Sequence, residues 1–183
     1  LLMGEGGNDR LRGDEIDVEG DNDYLLGGPG NDSLSGQGGD DLLEGGDGDD
    51  AISGGSGFDT LNYYFGGSAI TANLTNAAYP DPLIIQAPNT IKVGADTDTI
   101  INCGMAEGAP CSISADNPNS YRFRCERIVG SAANDNIAGY DADEQGNPLA
   151  THIYGAEGDD VIYCGRGDDY VDAGSGSDTV DPG

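Results

Sequence analysis

The sequence has no tryptophan, one histidine (His152), and 7 basic residues against 34 acidic ones. Each scarcity excludes a class of function. Nucleic-acid binding needs clustered Lys and Arg to displace counterions from phosphates. Arg10, Arg12, Lys92, Arg122, Arg124, Arg127 and Arg166 are too few and too scattered for that. An anionic membrane surface would repel a chain of net charge −27. The longest bulky aliphatic run is Leu83–Ile85, far short of a membrane span. No C-x-x-C pair occurs, and one histidine does not make a zinc site. H-E-x-x-H, G-x-S-x-G and P-loop signatures are absent, so no catalytic residue is expected.

What remains is glycine and carboxylate. The chain holds 32 glycines in 183 residues, and hydrophobic residues make up 36 %. Such a composition reads as disorder unless something neutralises the acid groups. A multivalent cation would do so.

The glycines and aspartates are in register. Residues 27–35 (GGPGNDSLS), 45–53 (GGDGDDAIS) and 54–62 (GGSGFDTLN) fit G-G-x-G-x-D-x-U-x at every defined position, U being a large aliphatic residue. Residues 36–44 depart only at Gln37. Residues 155–163, 164–172 and 173–181 each depart at one glycine. Looser copies lie at 4–12 and 130–138, and units 13–26 and 139–154 carry insertions. The U position is Leu11, Leu25, Leu34, Leu43, Ile52, Leu61, Ile137, Ile153, Ile162, Val171 and Val180.

The spacing has a physical reading. Six residues make a turn whose glycines permit positive φ. Three make a short strand with U pointing inward. Two units complete one coil, so alternate units stack on the same side, with strands ~4.8 Å apart. Units 4–12, 27–35 and 45–53 form one column, and units 13–26, 36–44 and 54–62 the other. Adjacent turns then bring aspartates and backbone carbonyls together as an all-oxygen cage, which suits Ca²⁺. The position-five residues Asp40, Asp49, Asp159 and Asp168 are expected to face outward and only enrich the local field.

The motif resembles the RTX (repeats-in-toxin) family of secreted bacterial calcium-binding proteins. The resemblance implies an all-β fold: a right-handed parallel β-roll or β-helix solenoid, here with an irregular central insertion. It also implies ions between same-side turns, held by the sixth-position aspartate and by turn carbonyls. Carried over, the side-chain ligands are Asp9, Asp23, Asp32, Asp41, Asp50, Asp59, Asp135, Asp160, Asp169 and Asp178. The carbonyl donors include Gly28, Gly30, Gly39, Gly46, Gly48, Gly55, Gly57, Gly158, Gly165, Gly167, Gly174 and Gly176. One ion per adjacent pair gives roughly four sites in the first block and two or three in the second. Thr151 stands where unit 139–154 should carry its aspartate.

Three segments follow: a repeat block at 1–62, an irregular β-rich stretch at 63–129, and a second repeat block at 130–183. The middle stretch has candidate strands at Ala69–Leu74, Leu83–Ile85, Thr90–Val93, Thr99–Ile101 and Tyr121–Phe123, between proline-marked loops. It reads as longer rungs continuing the solenoid, or as a partner-binding insertion. Cys103, Cys111, Cys125 and Cys164 allow three pairings, and none is assigned. Asp141 and Asp143 resemble the start of an EF-hand loop, without its closing glutamate. An extra calcium site, an acidic surface loop and a turn cap compete there.

The leading functional expectation is a secreted or cell-surface calcium-binding module that folds on extracellular Ca²⁺ and acts as a scaffold. Two others stand beside it: a subunit assembling head to tail with itself, and a polysaccharide-binding module working through residues 63–129. Each makes calcium the first partner, and the rest of a larger secreted chain could be another. The register makes a direct prediction. Asp50→Ala should raise the calcium midpoint of folding, whereas Asp49→Ala should change it little. Equal effects in a calcium titration would show the register to be wrong.

Overall fold

The computed structural model describes residues 1–14, 20–66, 70–73, 90–94, 96–100, 126–139 and 150–183. The candidate strands at 83–85 and 121–123, the Asp141/Asp143 loop, and Cys103, Cys111 and Cys125 lie outside them.

Each repeat contributes a turn and a strand, and the strands alternate between two sheets. The seven-stranded sheet runs β1 (Leu2–Met3), β3 (Tyr24–Pro29), β5 (Leu42–Asp47), β7 (Thr60–Asn62), β11 (Arg127–Val129), β13 (His152–Tyr154) and β15 (Tyr170–Asp172). The nine-stranded sheet runs β16 (Thr179–Asp181), β14 (Val161–Tyr163), β12 (Asn136–Ala138), β8 (Ile70–Asn73), β9 (Thr90–Val93), β10 (Asp96–Ile100), β6 (Ala51–Ser56), β4 (Ser33–Gly38) and β2 (Arg10–Arg12). The fold is a parallel β-roll. Both predicted columns appear: β2–β4–β6 on one side and β3–β5–β7 on the other, all parallel.

Register follows from the U residues. Leu25 pairs with Leu43, Leu43 with Leu61, and Leu34 with Ile52. A slip of one residue would turn every U side chain to solvent. The core is this file of aliphatic side chains from both sheets, with Tyr63 and Cys164 in the same buried cluster. Leu25, Leu43, Ile52, Leu61, Ile128, Ile137, Ile153 and Ile162 are all fully buried. In the outermost strands, Val171 is only half-buried and Val180 is 41 % exposed.

The centre departs from a uniform stack. In one sheet β7 pairs directly with β11, which sets Thr60–Asn62 beside Arg127–Val129. In the other, three strands stand between β6 and β12. The expected strand Thr90–Val93 forms as β9, but it is antiparallel to both β8 and β10. Only residues 94 and 95 separate β9 from β10, and a connection that short permits an antiparallel hairpin and no parallel crossover. Gly94 supplies positive φ at the turn. The strand expected at Thr99–Ile101 begins earlier, at Asp96. Ile91 of β9 is fully buried and extends the aliphatic file. Among the described residues no helix is long and apolar enough to cross a membrane.

This core predicts unequal costs along the file. Leu43→Ala should destabilise the folded roll by about 2–5 kcal/mol, as buried leucine truncations do. Val180→Ala should cost well under about 1 kcal/mol, since its side chain is already half in water. Denaturant midpoints in saturating calcium check both.

Candidate metal centre

The turns before each strand repeat one hydrogen-bond pattern. The sixth-position residue gives its backbone carbonyl to the first strand N–H of the next same-side rung, as in Ser33 to Asp9, Leu42 to Asp23, Ala51 to Asp32 and Thr60 to Asp41. Its own backbone N–H donates to the Oδ1 of the next sixth-position aspartate. Asp9 donates to Asp32, Asp23 to Asp41, Asp32 to Asp50, Asp41 to Asp59, Asp135 to Asp160 and Asp160 to Asp178, at 2.8–3.0 Å. Thr151 donates to Asp169 at 2.7 Å in the same way. One carboxylate oxygen is therefore consumed in holding rungs together.

The other oxygen is not. Oδ2 of Asp9, Asp32, Asp41, Asp59, Asp160 and Asp169 is buried and has no hydrogen-bond partner. Such a group costs free energy unless something compensates it. The surroundings show what could. A Cβ placed on Gly27 would collide with Asp32 Oδ2 and with the Gly45 carbonyl. One on Gly46 or Gly48 would collide with the carbonyls of Gly28 and Gly30. On the opposite side Gly36 faces Asp41 Oδ2 and the Gly54 carbonyl, and Gly57 faces the Gly39 carbonyl. In the second block Gly155 faces Asp160 Oδ2, Gly176 faces the Gly158 carbonyl, and Gly183 faces the Gly165 carbonyl. Each of these gaps between same-side turns is thus lined by one spare carboxylate oxygen and several carbonyls. Among the described residues no three Asp, Glu, His or Cys side chains gather to hold an ion. Backbone carbonyls must supply much of any coordination shell. That donor set fits a hard cation with many oxygen ligands, and the group fits the residues present.

Other sequence-expected donors occupy the equivalent turn positions. Asp50 is buried, while Asp23 and Asp178 are half-buried. Gly46, Gly48, Gly55, Gly57, Gly165, Gly167, Gly174 and Gly176 all adopt the positive φ of the turn.

Asp135 is different. Its Oδ2 accepts from the Ser131 N–H and its Oδ1 from the Ser131 hydroxyl, both at 2.7 Å. Serine in place of the second glycine closes that turn on itself.

Several contributors were not legible as glycine. Glu5, Gln37 and Ala156 stand at the second turn position with φ of 73°, 81° and 82°. Their carbonyls face Gly28, Gly55 and Gly174 as a glycine carbonyl would. Each bears the strain of a left-handed non-glycine residue, on the order of 1–3 kcal/mol. Glu126 was also missed. Its Oε2 accepts from the Asp59 N–H at 3.0 Å, the task of a sixth-position aspartate. The signal was available: residues 121–129 are nine long, with Glu126 sixth and Ile128 eighth.

Position five needs correction. Asp40, Asp49, Asp159 and Asp168 are exposed, as expected. Yet position five forms a second ladder, running in the opposite sense. Asn8 accepts from Asn31, Asn22 from Asp40, Asn31 from Asp49, Asp40 from Phe58, Asn134 from Asp159 and Asp159 from Ser177, at 2.8–3.3 Å. These side chains are structural as well as electrostatic. Truncating an accepting side chain, Asp40 or Asp159, should lower stability by about 1 kcal/mol without removing an ion ligand.

Comparison with known families agrees with this geometry. The model of the RTX calcium-binding nonapeptide repeat, in four copies, matches residues 1–34, 26–61 and 145–180, more than half of the chain. The chain belongs to the RTX calcium-binding repeat family. It is a Ca²⁺-binding β-roll, and its repeats take Ca²⁺ between turns. The repeat itself is a structural element and carries no catalysis. No curated protein matches the chain.

Burial shapes the protonation of these RTX turns. Burial pushes Asp59 up from 3.8 to about 8, opposed by the Asp41 N–H and reinforced by Glu126 and Asp41. Burial likewise pushes Asp41 up to about 6, against the Asp23 N–H. Asp160 and Asp169 rise for the same first reason. A raised carboxyl favours the folded state when protonated. That stabilisation is complete below the unfolded value of 3.8 and is lost as pH rises through about 6 and about 8. The metal-free roll should therefore gain β structure as pH falls from about 8 to about 5 in chelator. Calcium binding near neutral pH should release protons, Asp59 foremost. Circular dichroism reads the first, and proton release in weak buffer reads the second. A metal-free roll most stable at high pH would contradict the burial of these carboxyls.

Proposed function

We propose that the chain is a scaffold module of a secreted bacterial protein, folding when it meets extracellular calcium. The row of buried, unpartnered Oδ2 atoms facing turn carbonyls carries this reading. One ion sits between each adjacent pair of same-side turns. Its side-chain ligands come from Asp9, Asp23, Asp32, Asp41, Asp50, Asp59, Asp160, Asp169 and Asp178. Asp135, held by Ser131, is the weakest candidate. The repeat blocks 1–62 and 130–183 carry the ions, and residues 63–129 join them.

The physical logic is charge. A chain of net charge −27 resists compaction until cations offset the carboxylates. The gaps between turns exist only in the folded roll, so ion-binding energy is folding energy. Extracellular modules of this type bind Ca²⁺ at about 10⁻⁴–10⁻³ M. The chain therefore stays extended where calcium is scarce, which suits export, and folds where it is millimolar.

Far-ultraviolet circular dichroism on chelator-treated protein tests the proposal. Calcium should produce a cooperative coil-to-β transition, and magnesium should not, because Mg²⁺ demands tight octahedral geometry and dehydrates reluctantly. A full β spectrum in chelator near neutral pH would assign the fold to other forces. A coil at every calcium level would remove the proposal.

A further inference from the structure

The outer face of the seven-stranded sheet carries a cluster of aromatic rings around one cation. Strand side chains alternate, so residues flanking the inward U positions face away from the core. Arg127, His152, Tyr154, Tyr170 and Asp172 do so from β11, β13 and β15. Phe58 joins them from the turn before β7, where most units place Asn or Asp at position five. The Phe58 ring meets His152 edge-on at 4.8 Å. His152 lies 5.5 Å from Tyr170, and Tyr170 5.6 Å from Tyr154. The Arg127 guanidinium lies 4.8 Å from the Phe58 ring centre and 5.7 Å from that of Tyr154. Phe58, Arg127 and Tyr154 border a cavity of about 720 Å³, with Asn22, Asp40 and Asp172 on its walls. Its volume is that of a small-ligand site. Tyr170, beside the cavity, is 48 % exposed.

Arg127 is the unusual member. In so acidic a chain it forms no salt bridge among the described residues, and its Nε is buried without an acceptor. It is held by ring faces instead.

We propose that this face binds a neutral saccharide chain. The rings offer apolar faces to sugar C–H groups. The guanidinium edge donates to hydroxyl oxygens, and Asp40 and Asp172 accept from hydroxyl protons. A sugar hydroxyl both donates and accepts, so it matches a wall bearing a cation and carboxylates together. An acidic ligand would meet Asp40, Asp172 and the net negative charge, and a cationic one would meet Arg127. The inference rests on the calcium-folded roll, because Phe58 and Tyr154 become neighbours only when β7, β11 and β13 stack.

The test is saturation-transfer NMR and tyrosine fluorescence with a panel of neutral oligosaccharides, including cellohexaose and maltohexaose, and oligogalacturonate as the acidic control. Binding is read in every condition that gives a β spectrum. A neutral oligosaccharide should bind, and Tyr154→Leu or Arg127→Gln should each weaken it about tenfold. Tyr24→Phe should leave binding unchanged. The calcium midpoint of each variant shows that it folds. Three results would overturn the inference: a folded wild type that binds no neutral sugar, a preference for oligogalacturonate, or binding indifferent to both substitutions. If calcium fails to produce the β spectrum, the calcium reading falls instead, and the sugar arm is judged on whichever folded form is present.

Discussion

The structure depends on how one carboxylate divides its two oxygens. In each regular turn the sixth-position aspartate gives Oδ1 to the backbone N–H of the neighbouring rung. Its backbone carbonyl accepts from the following strand. The residue is therefore bonded to the rungs on either side before any ion is considered. Oδ2 is left over, buried among carbonyl oxygens. Stacking these residues creates binding gaps and repulsion together, and a divalent cation answers both.

Deviations in the repeat follow from which group does the work. Where the backbone carbonyl matters, side-chain identity is tolerated at a cost in strain, as at Gln37 and Ala156. Where the carboxylate matters, replacement changes the turn. Thr151 keeps its backbone bond to Asp169 but offers only a hydroxyl. Ser131 occupies both oxygens of Asp135 and stabilises its turn internally. The roll thus mixes turns poised for an ion with turns satisfied without one.

Among the described residues, the place where β7 meets β11 departs most from the repeat. Glu126 continues the carboxylate ladder beyond Asp59, and Ile128 continues the aliphatic file. Phe58 interrupts the position-five ladder with a ring: its backbone N–H donates to Asp40 Oδ1, but its side chain has no oxygen to accept from the next rung. That interruption places an aromatic face beside Arg127.

Sequence alone determined the columns, the inward residues and the candidate turns. A nine-residue period fixes which groups recur at equal height, and every interaction in a solenoid is between neighbours of equal height. Leu43 beneath Leu61 and Asp41 beneath Asp59 follow from counting. Tertiary structure decided what counting cannot reach. The antiparallel course of β9 comes from its short link to β10. The pairing of β7 with β11 joins residues far apart in the chain. The ladder role of position five is a matter of side-chain direction. The grouping of Phe58, Arg127, His152, Tyr154 and Tyr170 has no local signal, since each residue alone is an ordinary exposed or half-buried side chain. Only the stacking of rungs from both blocks puts them on one face.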